Sequence, residues 1–88
     1  MASLQKVFDA LLTGRSDANV RFSDLRRILR RLCFVERIKG SHFIYSRTDV
    51  EEIVNIQEGH GGKAKSYQAK QIRGIITKYG LTIGDDNL

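Results

Sequence analysis

Eighty-eight residues, 41% of them hydrophobic, suit one domain with a thin core and leave no material for a second. The single cysteine, Cys33, excludes an internal disulfide, no apolar run approaches membrane-spanning length, and the first residues lack the basic-then-apolar layout of a signal peptide. A soluble, cytoplasmic chain with no membrane partner is expected. The net charge of +5 is unevenly spread: residues 21–47 carry eight basic side chains against two acidic, residues 48–58 are acidic, and residues 59–83 are basic again. Two such positive blocks suit a polyanion, because each phosphate met by Lys or Arg releases condensed counterions. They are equally compatible with a solvated basic surface.

Leu4, Val7, Phe8, Leu11 and Leu12 recur at helical spacing and predict an amphipathic helix over residues 3–12. Gly14 stops it, and Thr13 to Asn19 reads as a polar loop. Ser23 is the expected N-cap of a second helix, with Asp24 at the positive end of its dipole. Leu25, Ile28, Leu29 and Leu32 form its apolar stripe, and Arg26, Arg27, Arg30 and Arg31 fall on the opposite face. Cys33, beside the apolar end of this helix, is expected in the core rather than in catalysis.

The period then changes to two. Phe34, Glu36 and Ile38 alternate with Val35, Arg37 and Lys39, as in a strand with one partly basic face. Gly40-Ser41 is a two-residue loop with glycine first, which a type II′ hairpin requires, and His42 to Arg47 is the return strand. Thr48 to Glu51 reads as a turn, Ile53 to Ile56 as a third strand, and Glu58 to Lys65, with three glycines, as a flexible basic loop. Ser66 is the expected cap of a last helix whose stripe is Ile72, Ile75, Ile76 and Tyr79, with Gly80 as its C′ residue. The tail from Gly84 to Leu88 is expected to fray. The order helix, helix, strand, strand, strand, helix predicts an α+β fold, a three-stranded antiparallel sheet with helices on one face.

The chemistry-bearing residues are few. His42 and His60 are the only histidines, no carboxylate stands at a ligand spacing from either, and no nucleophile–base–acid set is present. A metal site and a bound cofactor are therefore not expected. RNA needs fewer protein groups, because its own 2′-OH is the nucleophile toward the adjacent phosphorus. One histidine can move the proton, and Lys, Arg and backbone N–H groups can stabilise charge on the phosphoryl oxygens. His42 follows a turn in which Gly40 presents no side chain, with Arg37 and Lys39 on the adjoining strand. Lys63, Lys65 and Lys70 flank the start of the last helix, where cationic side chains and backbone N–H groups can hold a phosphate. His60, in the glycine-rich loop, is either a second phosphate or proton-transfer contact or a solvated loop residue.

Gly40-Ser41-His42-Phe43-Ile44-Tyr45 resembles the Gly-Ser-His-x-x-(Phe/Tyr) core of the HicA toxins, small ribonucleases of HicA–HicB toxin–antitoxin pairs. His60-Gly61-Gly62-Lys63 is similar to that family's His-Gly-x-Lys loop, and Arg73 to Leu81 to its closing helix ending in Gly-Leu. Phe22 to Phe34 fits the first helix of the family, so the resemblance spans residues 22–81, and the helix and loop of residues 1–20 are an addition to that core. The resemblance implies a double-stranded-RNA-binding-like fold and cleavage of mRNA without a metal. It also implies a HicB-type antitoxin as protein partner, and an essential His42 in a turn shaped by Gly40 and Ser41. Two departures stand out: Phe43 occupies a position where many relatives carry a second histidine, and the interval from His60 to Arg73 is about two residues longer.

The alternative is a non-catalytic module that reads duplex RNA by shape, for which Lys63, Lys65 and Lys70 serve equally well. The arginine face of the second helix suits either substrate or an acidic antitoxin surface. The sheet face of His42 is left open, since Ile44 shares it while Phe43 and Tyr45 share the other.

Overall fold

The computed structural model describes residues 3–84, so the tail expected to fray lies outside the described residues beyond Gly84. Helix α1 spans Leu4–Thr13. Ser3 Oγ accepts the Lys6 N–H at 3.2 Å at one end, and Gly14, at φ +72°, closes the other. Leu4, Phe8 and Leu11 are buried, whereas Leu12, on the flank of the stripe, is exposed.

Helix α2 spans Phe22–Arg31 and starts before Ser23, which is a helical residue rather than its cap. The start is set by the chain around it. Arg21 is held extended in a bridge to Lys63, its carbonyl accepts the Asp24 and Leu25 N–H groups, and Phe22 is already buried. Leu25, Ile28, Leu29 and Leu32 are buried as the stripe requires, each full burial contributing roughly 1.5–3 kcal/mol.

Cys33 is exposed, contrary to the expected core position. It takes the left-handed conformation, φ +69°, that reverses the chain after α2. The Cys33 N–H donates to the Arg30 carbonyl (3.0 Å) and the Phe34 N–H to the Leu29 carbonyl (3.1 Å), the paired bonds of a Schellman motif. Phe34 and Leu29, not the cysteine, carry the apolar contact. A residue with a Cβ is strained here. Cys33→Gly is therefore expected to raise stability by about 0.5–1 kcal/mol in denaturant unfolding, relief of strain exceeding the added freedom of the unfolded chain. A lower unfolding midpoint for that variant would overturn this account.

Strands β1 (Val35–Lys39), β2 (His42–Arg47) and β3 (Val50–Ile56) form one antiparallel sheet in the order β1-β2-β3. Lys39 pairs with His42 across the Gly40–Ser41 turn, and Gly40 has φ +61°, as the II′ reading requires. β3 begins three residues before the Ile53 expected from sequence. Val50, Glu52, Val54 and Ile56 alternate inward, and the acidic Glu52 is accommodated because it accepts from Tyr79 Oη (2.6 Å) and Lys78 Nζ (2.9 Å). These two donors hold its carboxyl well below the usual carboxylate range, at about 2.

The segment from Glu58 to Lys65 is tied down rather than loose. It makes a 3₁₀ turn at His60–Gly62, the Gly59 N–H donates to the Lys63 carbonyl, and the N–H of buried Ala64 donates to Val20 O, each at 2.8 Å. Helix α3 then spans Ser66–Tyr79. Ser66 is its first helical residue, not its cap. Buried Gln68 reaches back instead, its Oε1 accepting the Lys65 N–H at 3.2 Å. Gly80 at φ +62° and the Leu81 N–H to Ile76 carbonyl bond (3.0 Å) close the helix as expected.

The three helices share one core with the inner face of the sheet, where Tyr45, Val54 and Ile56 meet Leu25, Ile28, Ile72 and Ile76. Leu4, Phe8 and Leu11 of α1 belong to the same cluster, so the N-terminal helix is an integral wall of the core. Arg73 of α3 fastens it. Its guanidinium donates to the Leu11 carbonyl (3.1 Å) and, as a fork, to both carboxylate oxygens of Asp17 (2.8 and 3.0 Å) in the 3₁₀ turn Asp17–Asn19. No helix among the described residues is long and apolar enough to cross a membrane.

Arg26 is drawn out of the cationic face read for α2. It donates to Glu36 at 3.1 and 3.2 Å and lies 4.6 Å above the ring of Phe43. Glu36 also accepts from the Oη of fully buried Tyr45, its partner across β1 and β2, at 2.5 Å. Arg26 first and Tyr45 second hold the Glu36 carboxyl below its ordinary range, while burial and the adjacent carboxylate push the tyrosine up.

Candidate nucleic-acid interface

Alternation along β2 decides the question the sequence left open. Tyr45 is fully buried and Phe43 half-buried on the inner face, so His42, Ile44 and Ser46 lie on the outer one. His42 is exposed there. No described residue covers this face: Val35 on β1 and Ile53 on β3 are 62% and 63% exposed.

Arg37 and Lys39 share that face, because they pair with Ile44 and His42 in the β1–β2 register. Both are exposed. The turn that joins them to His42 carries no steric demand of its own, since a side chain built on Gly40 would meet nothing within 4 Å. Glycine is needed there for its positive φ, and the empty space leaves the backbone open to a ligand.

Two neighbours of His42 come from β3. The β2–β3 register pairs Ile44 with Asn55, which places Asn55 on the same face and diagonally across from His42. His42 Nδ1 lies 3.1 Å from Asn55 Oδ1. Gln57, one residue beyond β3, donates from Nε2 to Ser41 Oγ at 3.0 Å and faces His42 Nε2 at 3.5 Å. Ser41 thus has a second part in the turn, as the acceptor that ties it to the third strand. Neither Asn55 nor Gln57 is a candidate from the sequence. Both stand outside any motif, and only the register of a strand pair 13 and 15 residues apart brings them to His42. Amide side chains alternating outward at 55 and 57 were the one available signal.

The other basic candidates form a separate group. Lys63 Nζ donates to Asn19 Oδ1 at 3.1 Å, which turns it toward the helical layer. Lys65 immediately precedes α3, and Lys70 is an exposed residue within α3 whose charge acts on Asp17. His60 is exposed in the 3₁₀ turn. Tyr79 and Lys78 contact Glu51 and Glu52 at the start of β3, so the opposite end of α3 points toward the end of β3 that adjoins the hairpin turn. The two basic groups therefore flank one end of the molecule. Arg37, Lys39 and His42 are on the open sheet face, and Lys63, Lys65 and Lys70 are on the helical side.

Comparison of the chain with protein-family models, with curated proteins and with solved structures finds no match.

Proposed function

We propose that this chain is a metal-independent endoribonuclease of the HicA type, a cytoplasmic toxin that cuts mRNA and is held in check by a HicB-type antitoxin. The observation that carries the reading is the placement of His42. It stands exposed on a sheet face that no described residue covers, directly behind a II′ turn, with Lys39 and Arg37 beside it. A histidine serving only to end a hairpin needs none of those cationic neighbours. The order α2–β1–β2–β3–α3 supports the double-stranded-RNA-binding-like fold that the sequence resemblance implies.

In this mechanism an RNA backbone crosses the open face with one phosphate over the Gly40 turn. His42 accepts the proton of the flanking 2′-OH, and the oxygen attacks phosphorus as the P–O5′ bond breaks. Lys39 and Arg37 offset the charge that grows on the phosphoryl oxygens. The 5′-oxygen takes a proton from solvent water and the His42 imidazolium returns its own to solvent, giving a 5′-hydroxyl end and a 2′,3′-cyclic phosphate. The second basic group, Lys63, Lys65 and Lys70, holds a neighbouring stretch of backbone and contributes affinity rather than chemistry. An acidic antitoxin that covers the His42 face blocks substrate directly.

The test is incubation of the purified chain with a structured mRNA, in the presence and absence of EDTA, followed by analysis of the ends. Cleavage with 2′,3′-cyclic phosphate termini, unaffected by chelation, is the expected result. Salt-sensitive duplex binding without cleavage would assign the chain to the non-catalytic RNA-binding modules instead.

A further inference from the structure

We propose that Asn55 is the positioning residue that makes His42 a base, by fixing the imidazole in its Nδ1–H tautomer. The amide oxygen of Asn55 has lone pairs and no proton. At 3.1 Å from Nδ1 it therefore selects the imidazole form that carries hydrogen on that nitrogen. The lone pair then resides on Nε2, on the far side of the ring from the Asn55 contact. The Gln57 amide nitrogen faces Nε2 at 3.5 Å, a donor matched to a lone pair and mismatched to an N–H. The same amide nitrogen donates to Ser41 Oγ, which holds the turn and the ring in one arrangement.

The device needs no charge near the ring. The charged groups that face it are Lys39, directly across β1, and Arg37 on the next pair, whereas the β3 positions on its other side hold the neutral Asn55 and Gln57. A neutral acceptor on Nδ1 orients the ring without adding a negative charge that would repel an incoming phosphate. An aspartate at the same position would supply the same acceptor at that cost. This logic rests on the ribonuclease reading for its catalytic consequence, but the tautomer is a property of the free protein.

The experiment pairs two readouts. Long-range ¹H–¹⁵N correlation spectra of the imidazole report which nitrogen of His42 carries the proton, without any substrate. Steady-state cleavage of a short RNA reports kcat and KM. Wild type is expected to show Nδ1–H. Asn55→Ala is expected to move His42 toward Nε2–H and to lower kcat by about 10- to 100-fold, with KM changed less than about twofold. Asn55→Asp is expected to restore both Nδ1–H and most of kcat. A wild-type His42 protonated on Nε2 overturns the proposal, as does an Asn55→Ala protein with unchanged tautomer and unchanged kcat. Should the chain cut no RNA, the ribonuclease reading falls and the spectra alone decide the role of Asn55. Should His42→Ala abolish cleavage while Asn55→Ala leaves kcat intact, Asn55 loses its role and the ribonuclease reading stands.

Discussion

Replacing His42 with alanine is expected to lower RNA cleavage by about 10²- to 10⁴-fold, the usual contribution of a positioned proton-transfer group. The side chain is exposed on the outer sheet face, so the loss comes without unfolding. Surface replacements of this kind usually leave stability within about 0.5 kcal/mol. RNA affinity is expected to change little, because Arg37, Lys39 and the lysines near α3 remain. Phe43 sharpens the expectation. The next residue is apolar, half-buried and packed edge-on against Phe22 at 5.0 Å, so no neighbouring imidazole can take over. Cleavage rates measured beside circular dichroism and RNA-binding titrations check the prediction, and a variant that cuts at the wild-type rate removes His42 from the mechanism.

The second large effect concerns the fold. Arg73→Ala is expected to cost about 2–4 kcal/mol, because it leaves the shielded Asp17 carboxylate without its guanidinium fork and takes one of two donors from the Leu11 carbonyl, and hydrogen bonds to charged groups each contribute about 1.5–3 kcal/mol. Arg73 and Asp17 are largely shielded, with side-chain exposures of 21% and 18%. Gly14 would not fill the gap. It sits beside the guanidinium, and a Cβ there would lie 3.0 Å from it, at a φ that disfavours any substitution. The Asp17 carboxyl is held below its ordinary range chiefly by Arg73. The folded state therefore binds its proton less readily than the unfolded chain, and this part of the stability is present above the ordinary carboxylate range and fades as pH falls below it. Urea unfolding of wild type and Arg73→Ala at neutral and acidic pH tests both statements. The gap between the two proteins is expected to narrow in acid, and equal midpoints at neutral pH would show that the guanidinium does not hold α1 in place.

The legible parts of this fold are those in which local period and packing agree. The stripes of α1 and α3 and the glycine-first turn between β1 and β2 place four of the six main elements within a residue or so. Misreadings arise where a partner distant in sequence changes the meaning of a residue. Val50 and Glu51 look like turn residues until Tyr79 of α3 accepts the Glu51 N–H and, with Lys78, donates to the inward Glu52 carboxylate. Arg26 looks like one of four arginines on a single cationic face until Glu36 and Phe43 claim it. Cys33 looks apolar, yet the chain reversal after α2 needs its backbone and leaves its thiol outside. Ser23 and Ser66 are good caps by type, but buried Phe22 and inward-reaching Gln68 move both helix starts toward the N-terminus, so that each serine lies inside its helix. Within the site, Gly40, Ser41, His42 and the flanking Lys39 and Arg37 are contiguous and readable, whereas Asn55 and Gln57 depend on strand register.

That dependence gives the bond between Tyr45 and Glu36 a second consequence. The two residues are direct partners across β1 and β2, and their hydrogen bond is completed by the fork from Arg26. Sliding β2 by one residue would bring a different side chain opposite Tyr45, break this contact and rotate the whole strand, turning His42 toward the core. A misaligned hairpin would then bury its histidine and expose its aromatic residues. The polar lock on the hidden side of the sheet thus acts as an alignment pin for chemistry on the other side, although none of its three residues touches His42.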